Sequence, residues 1–69
     1  MILRDSLTNR ETEVLKLVAE EHTNIEIGGV LHISHKTVST HVSKMMKKLD
    51  IHNRVGLARY AIREEMIEA

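Results

Sequence analysis

Val38, Val42, Met45 and Leu49 recur at i, i+4, i+7 and i+11 within the run SHKTVSTHVSKMMKKL, residues 34–49. At about 100° per residue, this spacing gathers the four apolar side chains into one narrow arc of an α-helix, with Met46 beside them. The opposite arc collects Lys36, Thr40, Ser43, Lys44 and Lys47, with Thr37, Ser39 and Lys48 on its shoulders. No acidic residue interrupts it before Asp50. A face of lysines interleaved with small hydroxyls suits a polyanion whose grooves carry hydrogen-bond donors and acceptors. The plainer alternative is a solvated helix face. What surrounds the helix shifts the balance.

The surroundings are small. Sixty-nine residues make one domain with little core to spare, and the chain has no cysteine to staple it through a disulfide or a zinc site. Stability must come from helix packing. Proline is absent, Tyr60 is the one aromatic residue, and good helix formers dominate, so the fold class is all-α rather than sandwich or barrel. No apolar run approaches membrane-spanning length and no signal peptide is visible. The missing cysteines fit a cytoplasmic protein.

A net charge of zero argues at first sight against nucleic acid. Its distribution argues the other way. Residues 34–54 carry Lys36, Lys44, Lys47, Lys48 and Arg54 against Asp50 alone, whereas residues 1–33 carry three basic and six acidic residues. Clustering of charge matters more for a partner than the sum.

In chain order, residues 1–6 read as a loose leader. Thr8-Asn9-Arg10-Glu11 is a capping box, and Val14, Leu15, Leu17 and Val18 behind it predict a first helix over about 9–20. Thr23-Asn24-Ile25-Glu26 is a second box, predicting a short helix over about 24–31 with Ile27 and Leu31 facing inward. His32 and Ile33 make a tight turn, and Ser34 caps the central helix over about 35–49. Short helix, tight turn and longer helix with a polar outer face have the shape of a helix-turn-helix. Gly28 suits the crossing of its two helices, where a large side chain would push them apart; alternatively, Gly28-Gly29 frays the second helix. Asp50-Ile51-His52 connects to a fourth helix over about 54–66, capped by Asn53 and marked by Leu57, Ala58, Ala61 and Ile62. The expectation is a compact four-helix bundle forming a single domain over residues 1–69.

The chain resembles the C-terminal DNA-binding domain of the LuxR/FixJ/NarL response-regulator and quorum-sensing family, also called GerE-like. The residues that carry the resemblance are Leu7-Thr8, Arg10-Glu11, Glu13-Val14-Leu15, Ala19-Glu20, Thr23-Asn24 and Glu26-Ile27. They continue through Leu31, Ile33-Ser34, Lys36-Thr37-Val38, His41-Val42, Lys47-Lys48-Leu49, Arg54 and Tyr60-Ala61. The similarity is gapless from Leu7 to Ile67. It implies sequence-specific binding of double-stranded DNA in bacterial transcription regulation, with the third helix in the major groove and a dimer on an imperfect palindrome. It also implies control by a separate N-terminal receiver or ligand-binding domain, so this chain is expected to be part of a longer regulator. RNA polymerase is a further candidate partner.

Carried over by position, Ser39, Thr40 and Ser43 match the base-facing positions of the family. Lys36, Thr37, Lys44 and Lys47 match positions where phosphate contacts are common, and Lys48 joins them on the basic face. His41 borders both core and polar arc, so a phosphate contact and a packed imidazole are both open. This sequence departs from the family pattern at five positions. Glu21 stands where glycine usually closes the first helix, Gly28 replaces the usual alanine, and Ile25 replaces a polar or basic residue. Ser39 and Ser43 stand where longer polar side chains are frequent.

Val55, Ile62 and Met66, at i, i+7 and i+11, form a second apolar stripe on the fourth helix, edged by Arg59 and Arg63. Such a stripe on a small protein suggests a partner surface, and the resemblance implies a homodimer through it. The alternative is that Met66 frays and Ile62 completes the core. Leu57, Ala58 and Ala61 are expected to face the bundle and help fix the third helix. Five histidines invite a metal, but His32 and His35 merely straddle a turn and no other ligand types sit at metal spacing, so no metal or cofactor is expected. No serine has a readable histidine–acid partnership, and a bundle this small offers little cleft for a carboxylate pair, so an enzyme is not expected. The competing function class is a small helical protein-interaction module that keeps the fold and has lost DNA binding.

Overall fold

Two Thr-x-x-Glu boxes start the first two helices in the computed structural model, which describes residues 7–66. Thr8 Oγ1 accepts the Glu11 amide at 3.1 Å while Glu11 Oε1 accepts the Thr8 amide at 2.9 Å. α1 (Asn9–Ala19) therefore begins with two otherwise orphaned amides satisfied. Thr23 and Glu26 repeat the arrangement at 3.2 and 2.8 Å and open α2 (Asn24–Leu31). Ser34 caps α3 (His35–Leu49) by accepting the Thr37 amide, and Asn53 caps α4 (Arg54–Arg63) by accepting that of Gly56. The described residues contain these four helices and no strand. The expected leader over residues 1–6 lies outside the described residues, as does Ile67.

Each helix closes on a residue of positive φ, and none of the four is glycine: Glu21 (69°), His32 (60°), Asp50 (53°) and Glu65 (57°). In each case the following amide reaches back to the carbonyl five residues earlier. His22 bonds Leu17 at 3.1 Å, Ile33 bonds Gly28 at 3.0 Å, Ile51 bonds Met46 at 2.9 Å and Met66 bonds Ala61 at 2.9 Å. This is the Schellman closure, which satisfies carbonyls that would otherwise be orphaned. A side chain held left-handed costs about 1–2 kcal/mol, a cost that glycine escapes. Glu21 bears it at the position where the family resemblance implies glycine.

The fourth helix is shorter than its periodicity predicts. It stops at Arg63 rather than Met66, the chain turns at Glu65, and Met66 packs half-buried against the core. Met66 continues the apolar spacing of α4 because a Schellman turn favours an apolar residue just beyond it, packed back on the last turn. Sequence spacing cannot distinguish that contact from one more turn of helix.

The core joins Val14, Leu15, Val18 and Ala19 of α1, Ile27 of α2, Val38, Val42, Met45 and Leu49 of α3, and Leu57, Tyr60 and Ala61 of α4. α1 touches all three other helices, whereas α2 packs chiefly on α3. α4 lies mainly against α1, with Leu57 and Ala61 in the core shared with α3 and Ala58 packed against it, so these residues face the bundle as expected. α2 runs unfrayed through Gly28-Gly29, and Gly28 is buried. A β-carbon on Gly28 would sit 2.5 Å from the Ile33 carbonyl oxygen, so the turn here closes tightly against the bare α-carbon and would have to shift to admit a side chain.

Candidate nucleic-acid interface

The apolar arc of α3 is sunk in the core, which fixes what the helix shows outside. Val38 and Met45 are fully buried, so Lys36, Ser39, Thr40, Ser43, Lys44 and Lys47 are all exposed on the other side. No acidic side chain belongs to this helix. Thr37 is also exposed, and His41 is half-buried at the border of core and outer face. The base-facing and phosphate-facing residues anticipated from sequence thus share one surface, with Lys48 and His41 at its margin.

Hydrogen bonds within the helix restrict what three of the hydroxyls can offer. Ser34 Oγ and Thr37 Oγ1 pair at 3.0 Å across the first turn. Thr40 Oγ1 donates to the Lys36 carbonyl at 3.2 Å, one turn back along α3. The Thr40 hydroxyl proton is therefore engaged by the helix itself.

Two cations of the positive segment hold the fold. Lys48 Nζ lies 2.7 Å from Glu11 Oε1, whose side chain is only 3% exposed. Burial alone would raise the Glu11 carboxyl. The Lys48 hydrogen bond, the Thr8 amide and the Lys48 charge outweigh it and hold the carboxyl below its ordinary value. Arg54 donates to Asn24 Oδ1 at 2.7 Å and to the His22 carbonyl at 2.7 Å, clamping the α1–α2 turn to the start of α4. Neither role is legible in the chain alone. The partners are 30 to 37 residues apart, and the only local signal is the Glu11 capping box.

A separate surface lies on α4. Val55 is 64% exposed and Ile62 38%, with Arg59 exposed between them. Met66, anticipated as the end of this stripe, sits beyond the helix and against the core. Beside Val55 an open depression of about 290 Å³ is lined by Val18, Glu21, Arg54 and Ala58. Ile25 on α2 is 73% exposed, as its departure from a polar residue leads one to expect. Among the described residues, no three histidine, aspartate or glutamate side chains are grouped to hold a metal ion. No described helix is long and apolar enough to cross a membrane.

Residues 5–61 match the family model GerE, bacterial regulatory proteins of the luxR family. The chain is 49% identical over 59 residues to the uncharacterized response regulatory protein YgeK of Escherichia coli K12, covering 86% of this chain and 40% of that protein. It is 48% identical over 63 residues to the transcriptional regulatory protein LiaR of Bacillus subtilis, covering 91% and 30%. Against the response regulator protein VraR of Staphylococcus aureus it is 41% identical over 66 residues, covering 96% and 32%. The chain thus spans well under half the length of these relatives.

Proposed function

The chain belongs to the luxR family of bacterial regulatory proteins, and from that premise we propose that it binds double-stranded DNA sequence-specifically in transcription regulation, with α3 in the major groove. The carrying observation is the acid-free outer face of α3, where Lys36, Lys44 and Lys47 flank Ser39, Thr40 and Ser43 on a helix locked into the core from behind. A helix of this width fits the major groove, where base edges carry a unique pattern of donors, acceptors and methyls. The lysines neutralise phosphates and set the register, while the small residues between them let the helix approach the bases. Lys48 holds α3 on α1 through Glu11. The names of LiaR and VraR, a transcriptional regulatory protein and a response regulator, support the same reading. Such a role calls for no catalytic group, and its compartment is the bacterial cytoplasm, where the DNA is.

Two copies pair through Val55, Arg59 and Ile62 of α4, so that their α3 helices enter successive major grooves. The operator is then an imperfect palindrome with half-site centres about one helical turn apart. The exposed apolar area on α4 is small, which makes pairing weak in solution and cooperative on DNA.

A selected duplex library followed by salt titration tests this function. Wild-type chain should enrich a consensus and lose affinity steeply with salt. Lys44→Ala with Lys47→Ala should flatten the slope of log K against log salt by about 0.9 for each phosphate that is no longer neutralised. Weak, salt-indifferent binding to every duplex would point instead to a protein-interaction module.

A further inference from the structure

We propose that Thr40 reads thymine by its methyl group: the γ-methyl packs on the C5-methyl of one thymine per half-site, and the hydroxyl takes no part in base readout. The inference rests on the placement of α3 in the major groove proposed above. It starts from the bond between Thr40 Oγ1 and the Lys36 carbonyl at 3.2 Å. A threonine β-carbon carries a hydroxyl, a methyl and a hydrogen. Once the hydroxyl is folded back onto the helix backbone, the methyl is the group left to project. Thr40 is exposed, and its neighbours on the outer face are Lys36, Ser39, Ser43 and Lys44. Hydroxyls and ammonium groups flank its methyl, and Thr37, the other exposed threonine of α3, lies one turn back in the first turn.

Thymine is the base that presents a methyl in the major groove, and a threonine methyl is a fitting partner for it. A base acceptor could recruit the Thr40 hydroxyl proton only by breaking the bond to Lys36. A base whose polar edge faced the methyl would lose its water without gaining a hydrogen bond. The first effect withholds the hydroxyl proton from every base acceptor, and the second favours thymine over the other bases at the position that the Thr40 methyl meets.

The test uses the whole chain on the consensus duplex obtained by selection, with each thymine replaced singly by deoxyuridine, which removes only the C5-methyl. Wild type should weaken about fourfold at one thymine per half-site, the effect of a single buried methyl. Thr40→Val keeps the methyl and discards the hydroxyl, and it should remain sensitive at that same thymine. Thr40→Ser keeps the hydroxyl and discards the methyl, and it should become indifferent there. A consensus without thymine, a wild type indifferent to deoxyuridine throughout, or a Thr40→Ser as sensitive as wild type overturns the methyl readout and leaves DNA binding by α3 standing. A chain that binds no duplex, or all alike, removes the placement of α3 and the methyl readout together. The deoxyuridine series on wild type needs no variant, so it can overturn the methyl readout even if a substitution disturbs the fold, while Thr40→Val and Thr40→Ser assign it to Thr40.

Discussion

Lys48 Nζ lies 2.7 Å from Glu11 Oε1, the same oxygen that accepts the Thr8 amide and closes the capping box of α1. One carboxylate thus starts the first helix and anchors the last turn of the third. It is buried, so its charge needs both partners; Lys48 remains partly in water, with 35% of its side chain exposed. The orientation of the outer face of α3 is tied in this way to a capping interaction on α1.

Because the folded-state pKa of Glu11 is depressed, its contribution to stability is complete above the ordinary carboxylate pKa. The contribution is lost as pH falls through that value, about 4.3, toward the lower folded one. Urea unfolding across pH 3 to 7 should therefore show an acid-sensitive limb that weakens in Glu11→Gln. Lys48→Met should destabilise the chain by about 1–3 kcal/mol at neutral pH, less than a fully dry pair because water reaches the lysine. It should also move the acid limb upward, since the carboxylate is left without its cation while its burial remains. The salt slope of DNA binding should stay as in wild type. A flatter slope would return Lys48 to the residues that neutralise phosphates.

Gly28 and Gly29 are neighbours in sequence and opposites in structure. A methyl on Gly28 meets the Ile33 carbonyl at 2.5 Å, whereas one on Gly29 meets nothing within 4 Å. Gly29→Ala should raise stability by up to about 1 kcal/mol through helix propensity alone. In Gly28→Ala the same gain is outweighed, because a backbone oxygen blocks the methyl and the α2–α3 turn must open. Thermal melting of the two variants should shift in opposite directions. Two upward shifts would mean that the turn yields cheaply.

Ile62 shows 38% of its surface and Val55 64% on the same side of α4. Ile62→Glu should therefore leave the circular dichroism spectrum and single-half-site affinity near wild type. On a duplex with both half-sites, it should abolish cooperative loading, measured by band shifts over a concentration series. If that variant still loads both half-sites cooperatively, dimerisation runs through another surface; if it unfolds, Ile62 belongs to the core.

The four helices and their starts are written in the chain alone. Capping boxes at Thr8 and Thr23, the Ser34 and Asn53 caps, and apolar residues spaced three and four apart are local, and local physics decides helix initiation and which face turns inward. The outer face of α3 is legible for the same reason: once Val38, Val42, Met45 and Leu49 are buried, the helix has one direction left to present its lysines. Helix ends are less legible, since Met66 keeps helical spacing after the chain has turned at Glu65. Packing alone separates the cations that face outward from those that hold the fold. Lys44 and Lys48 look alike in the sequence, yet Lys48 meets a carboxylate 37 residues away. Arg54 likewise closes on a carbonyl and an amide from the α1–α2 turn. Such pairings arise when packed helices bring distant positions together, and no periodicity along the chain encodes them.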